Sequence, residues 1–63
     1  MTIGERIHAA RKSKGLSQEM IAAKLGVSRQ AVTRWESGKS NPSTSNLLQL
    51  SALLEIPIGE LCG

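Results

Sequence analysis

The stretch Ser17 to Trp35, SQEMIAAKLGVSRQAVTRW, leaves this chain few ways to fold. Ile21 and Leu25 repeat at helical spacing, Gly26 offers a residue that takes positive φ without steric cost, and Ser28 supplies a hydroxyl to cap a second helix. Two short helices meeting at one glycine corner form a helix-turn-helix. The second of them opens Arg29-Gln30 and carries Thr33 and Arg34 one turn later. Extended hydrogen-bonding side chains therefore collect where such a helix would meet the major groove of a duplex. The pattern implies sequence-specific binding of double-stranded DNA, with Arg29, Gln30, Thr33 and Arg34 reading bases.

Length sets the scale of everything else. A chain of 63 residues makes one domain, residues 1–63, and buries only about 60% of its unfolded surface, which argues against a large catalytic cleft. The lone cysteine rules out an intramolecular disulfide and CxxC-type metal ligation; no metal or cofactor is expected, and a reducing cytoplasm is the natural setting. No apolar run approaches the ~18 residues of a membrane span, and the amino terminus lacks a signal-peptide layout. These features imply a soluble cytoplasmic domain.

The charge is unevenly placed. Residues 1–39 carry all eight Lys and Arg against three Glu, a net of +5, whereas residues 40–63 carry only Glu55 and Glu60, a net of −2, for +3 in all. A basic half of this kind suits a polyanionic partner and leaves the other half for a different task, although solvated helix faces produce similar charge.

Along the chain, Thr2 with Glu5 three residues on forms a capping box for a first helix over about 3–13, with Ile3, Ile7 and Ala10 on one face. Arg11, Lys12 and Lys14 favour its negative end, and Gly15 stops it. The second helix, about 18–25, is capped by Ser17. It buries Ile21 and Leu25 and keeps Ala22 small so that the two helices of the motif can approach. The third, about 29–37, turns Val32 and Trp35 inward with Ala31 beside them, and Gly38 closes it. Trp35, the only aromatic residue, reads as a core anchor rather than a stacking platform. Pro42, Ser43 and Thr44 start a fourth helix, about 44–54, with Leu47, Leu50 and Leu54 on its buried stripe. A short terminal helix, about 58–62, completes an all-α bundle of four helices plus a stub.

From Ile3 to Leu61 the chain resembles the phage-repressor and Cro type of helix-turn-helix domain, also called the XRE family. The matching residues are GLSQE at 15–19, IAAKLGVSRQAV at 21–32, WESGKSNPS at 35–43 and LLQLSALLEI at 47–56. The resemblance implies a lambda-repressor-like fold and a transcriptional regulator, a repressor, that lays its third helix in the major groove. It further implies that Gln18 grips a phosphate and helps orient the first base-reading side chain, and that Lys39, Ser40 and Asn41 hold backbone. Arg11 and Glu36 are implied to form an internal salt bridge, joining Ala22, Gly26, Val32 and Trp35 as structural residues. Ile21 stands where leucine is common and Ser51 where the fourth helix usually has alanine. Ser17 and Ser28 have capping roles that need no ligand, yet a capped helix N-terminus is also a good phosphate seat, so both are candidate phosphate contacts.

Rival readings are weaker. His8 and Cys62 lie at opposite ends of the sequence, with no carboxylate pair or glycine-rich phosphate loop, so an enzyme is not expected. A protein-docking adaptor would favour exposed apolar anchors over the Arg, Gln, Thr and Arg of the third helix. An antitoxin component stays compatible with DNA binding, and an effector domain or partner protein beyond Gly63 stays open.

A single module this small gains limited affinity, and two copies related by a two-fold axis could place their third helices in successive major grooves of a palindromic operator. The fourth helix carries more leucine than one stripe needs, and Ile56, Ile58 and Leu61 follow in a segment without positive charge. Leu53, Ile56, Ile58 and Leu61 are therefore the candidate homodimer interface; the alternative is that they complete the core or lie singly on the surface.

Overall fold

The computed structural model of the protein describes residues 1–63 and contains only helices: α1 (Ile3–Ser13), α2 (Gln18–Leu25), α3 (Arg29–Ser37), α4 (Thr44–Leu54) and α5 (Ile58–Cys62). None is long and apolar enough to cross a membrane. Each of the first four starts at a hydroxyl that takes up a free first-turn amide. At α1 the box is reciprocal, Thr2 N donating to Glu5 Oε1 at 2.8 Å and Glu5 N to Thr2 Oγ1 at 3.1 Å. Ser17, Ser28 and Ser43 accept from Met20, Ala31 and Asn46, each at 3.1 Å. Only α5 lacks a side-chain cap; Pro57 precedes it.

Helices α1 and α2 both pack on α3, while α5 bridges α4 and α1. The core formed between them is Ile7, Ile21, Ala22, Val32, Trp35, Leu50, Leu54 and Leu61. Gly26 sits at φ 71° in the corner between α2 and α3, where the next amide, Val27 N, donates back to Ala22 O at 3.0 Å. That bond and the buried Ala22 draw the two helices together. Leu25 and Leu47, expected on buried stripes, are only half-buried and pack at the margin of the core.

Two features were not foreseen from the sequence. Gly4 is buried in the first turn of α1, and a Cβ there would lie 2.2 Å from Trp35 O and 3.0 Å from Glu36 O. Backbone meets backbone at this crossing, so only glycine permits it. The second is the end of α4, which turns through Glu55 at φ 59°, the single non-glycine residue in left-handed conformation. Lys14 Nζ pairs with its carboxylate at 2.9 Å, and Ser51 Oγ donates to Ile56 O across the same turn. The Ser51 hydroxyl thus ties α4 to the segment leading into α5.

Candidate nucleic-acid interface

The hydrophobic side of α3 turns Val32 and Trp35 into the core, so Arg29, Gln30, Thr33 and Arg34 are left exposed on the opposite arc. The start of α2 lies against this arc. Thr33 Oγ1 donates to Gln18 Oε1 at 2.8 Å, and Arg29 Nη1 lies 3.6 Å from Glu19 Oε2. The segment after α3 folds back beneath it, Lys39 N and Ser40 N donating to Arg34 O at 2.9 and 3.4 Å. Lys39 and Asn41 are exposed there and Ser40 is half-buried. One surface therefore gathers the N-terminus of α2, the outer face of α3 and the turn that follows. Arg34 and Lys39 take part in none of the ion pairs that the fold makes, which leaves their charge free for a partner.

Behind this surface stands Glu36, its side chain 6% exposed. Arg11 Nε donates to Oε2 at 2.7 Å and Arg11 Nη2 to Oε1 at 3.0 Å, the bidentate geometry that makes arginine–carboxylate pairs strong. Gln18 Nε2 donates to Oε1 at 3.2 Å, and His8 Nδ1 lies 2.8 Å from the same atom. Arg11 Nη2 lies 3.2 Å from the same ring nitrogen, so His8 Nδ1 stands between a carboxylate acceptor and a guanidinium donor. Arg11 Nη1 donates in addition to Leu16 O at 2.9 Å, fastening the turn between α1 and α2. Arg11 thereby links α1, that turn and the end of α3.

Burial pushes the Glu36 carboxyl up, but hydrogen bonds from Arg11, His8 and Gln18 outweigh it and hold the group below its ordinary value. The Arg11 guanidinium is raised by its hydrogen bond to Glu36 against the opposing effect of burial. At the surface, Glu5 is lowered by the backbone and side-chain hydrogen bonds of Thr2.

Two of the expected roles come out differently in the structure, those of Gln18 and Leu61. Gln18 bonds to Thr33, the third side chain of the reading face, and not to Arg29, which opens it and faces Glu19 instead. Ser17 and Ser28 form the expected helix caps, each accepting from a first-turn amide and keeping its own O–H. At the other end of the molecule Leu61 is fully enclosed, so it belongs to the core and cannot line a dimer interface. Short α5 lies against both α1 and α4, and this packing decides its burial. Leu53 and Ile56 are half-buried, whereas Ile58 is 36% exposed and Leu48 is 56% exposed. His8 and the exposed Cys62 are not assembled into any shared site.

Five short helices with this connectivity, and a third helix that buries one face in the core and exposes the polar other, define a lambda/434-repressor-like helix-turn-helix domain. A helix-turn-helix family model, HTH_3, matches residues 7–61, and the chain belongs to that family, in its XRE branch of transcriptional regulators. It is 39% identical over 61 residues to the HTH-type transcriptional activator BcrR of Enterococcus faecalis, covering 97% of this chain and 30% of BcrR. With the transcriptional repressor RstR of the cryptic phage CTXphi in Vibrio cholerae it shares 38% over 63 residues, covering 100% of this chain and 56% of RstR. The chain thus spans from under a third to about half of the length of these relatives. The P22 c2 repressor of a Salmonella phage, solved with a synthetic operator, superposes with a TM-score of 0.92 at 35% identity over 98% of this chain and 94% of that one.

Proposed function

We propose that this domain binds double-stranded DNA in a sequence-specific manner as the DNA-reading part of a cytoplasmic transcriptional repressor, with α3 in the major groove. The observation that carries this reading is the exposed arc of Arg29, Gln30, Thr33 and Arg34, set beside the start of α2 in a domain superposable on a repressor seated on its operator. Arginine can engage guanine O6 and N7 as a fork, and glutamine can engage adenine N6 and N7 likewise. Gln18, Lys39, Ser40 and Asn41 are the phosphate contacts of this reading. Gln18 uses one amide N–H on Glu36 and keeps a second for a phosphate oxygen. Ser17 and Ser28 accept their capping bonds and keep a hydroxyl proton each, so those two termini offer a phosphate both the serine O–H and the first backbone amides of α2 and α3. The domain acts by binding, with no catalytic step.

Selection from random DNA followed by variant analysis tests this. Gln30→Ala should relax preference at one or two base pairs, each bidentate contact being worth about 1–3 kcal/mol of discrimination. Lys39→Ala should weaken all sequences alike and lower the slope of log affinity against log salt by about one unit. Failure to enrich any sequence, or a logo unchanged by Arg29→Ala and Gln30→Ala together, would defeat the assignment.

The same reading includes a homodimer on a palindromic operator, its half-sites about 34–36 Å apart. Exposed Ile58, with the half-buried Leu53 and Ile56 nearby in sequence, supports a contact through the carboxy-terminal part. Two half-sites should then fill cooperatively, and Ile58→Asp should weaken the cooperativity while single half-site binding persists. Independent filling by the parent domain would count against the dimer.

A further inference from the structure

The hydrogen bonds behind α3 constrain how one of its side chains can meet a base. Glu36 is ionised and nearly buried, and it accepts only, so it takes an N–H from whatever faces it. This orients the Gln18 amide: Nε2 must point to Glu36, and the carbonyl Oε1 must point the other way. The reverse orientation would set Oε1 against the carboxylate at 3.2 Å, oxygen facing oxygen.

Thr33 meets the Oε1 end at 2.8 Å, and its hydroxyl also lies 3.1 Å from Arg29 O, the carbonyl one turn back on α3. Both neighbours are acceptors. A hydroxyl carries a single proton, and here two protein oxygens already compete for it. Thr33 therefore has no proton to donate to a base edge. Its Oγ1 is turned toward the helix backbone and α2, which leaves the γ-methyl as the remaining heavy atom of an exposed side chain. The one apolar group that a base pair presents in the major groove is the C5-methyl of thymine.

We propose that Thr33 reads its base pair through the γ-methyl, selecting thymine, because Glu36 acting through Gln18 holds the hydroxyl away from the groove. This rests on the DNA-binding reading above. It makes Glu36 and Gln18 positioning residues for specificity, and it excludes guanine as the base facing Thr33, since O6 and N7 would require a donor.

The test starts from a site selected by the parent domain. The position that Thr33 faces is the one where Thr33→Ala relaxes base preference, and deoxyuridine replaces thymine there to remove only the methyl group. Binding by the parent should weaken about three- to tenfold. Thr33→Val, which keeps a methyl and loses the hydroxyl, should retain that discrimination, whereas Thr33→Ser should bind the thymine and uracil sites alike. The proposal is overturned if guanine is selected at the position, if Thr33→Ala changes no preference, or if the parent tolerates uracil. Retention of preference by Thr33→Ser together with its loss in Thr33→Val would identify the hydroxyl as the reader. In each of these cases the parent still binds its selected site, whereas an absence of any enriched site would bring down the DNA-binding reading itself.

Discussion

Replacing Trp35 with alanine is expected to leave the domain largely unfolded at room temperature. The indole is 5% exposed and joins α3 to a core that contains only eight buried apolar residues. Truncating a large aromatic in a core costs about 3–5 kcal/mol, part of it lost transfer free energy and part the cavity left behind. A core in a chain this short supplies about the same amount in total, so the two quantities cancel. The position leaves little room for collapse, since the backbone of Trp35 is already pressed against Gly4. Thr2 and Ser17, which cap the two helices packed on α3, add about 1 kcal/mol each and cannot compensate. Circular dichroism of Trp35→Ala should show little residual helix and no cooperative melt, while Trp35→Phe should keep a cooperative transition at lower temperature. A melt close to the parent's would mean that the indole lies outside the core and would reopen a stacking role for it.

Much of this architecture could be read in advance because its determinants are local. A hydroxyl before a helix and a glycine after it act within a turn of backbone, and the opposed faces of α3 follow from 3.6-residue periodicity alone. What escaped depends on how helices cross. Nothing in the residues around Gly4 says that α1 passes within backbone contact of the end of α3; the requirement appears only once that crossing exists. Leu61 looked available for an interface because a five-residue helix carries too little periodicity to name a face, and its burial is set by distant partners in α1 and α4. The left-handed turn at Glu55 was similarly hidden, since glycine is the usual signal for it and a glutamate gives none. In the interface, residue types were legible but pairings were not. Gln18 was recognisable as a functional side chain, whereas its choice of Thr33 over Arg29 depends on the distance between α2 and α3 and on the acceptor that Glu36 places behind it.

Glu36→Ala is the second substitution expected to have a large effect, and for a reason opposite to that of Trp35: it removes a partner, not bulk. The Arg11 side chain is 11% exposed, and without Glu36 its Nε and Nη2 lose their acceptor while the guanidinium keeps its charge. Breaking a buried pair in this way costs about 3–5 kcal/mol. The lower end, about 3 kcal/mol, fits a pair at the margin of the fold. Replacing both partners with apolar residues, Arg11→Met with Glu36→Leu, should recover much of the loss, because no uncompensated charge remains. The pH dependence separates the same terms. A carboxyl held below its unfolded value contributes stability that is complete above that value and is lost as pH falls through the folded one. For Glu36 the loss should begin as pH drops below about 4.5, the ordinary value of the group, with the neutral range on the plateau. Raising the Arg11 guanidinium above its ordinary value stabilises the fold throughout the acid and neutral range alike and so adds nothing to the acid limb. In the doubly apolar variant the acid limb should therefore flatten, with Glu5 keeping its own share because its bonds to Thr2 are intact. Urea titrations from pH 7 down to pH 3 on the parent, the single and the double variant measure all of this. A Glu36→Ala domain within a few tenths of a kcal/mol of the parent at neutral pH would show that the pair orients Gln18 without holding the fold together.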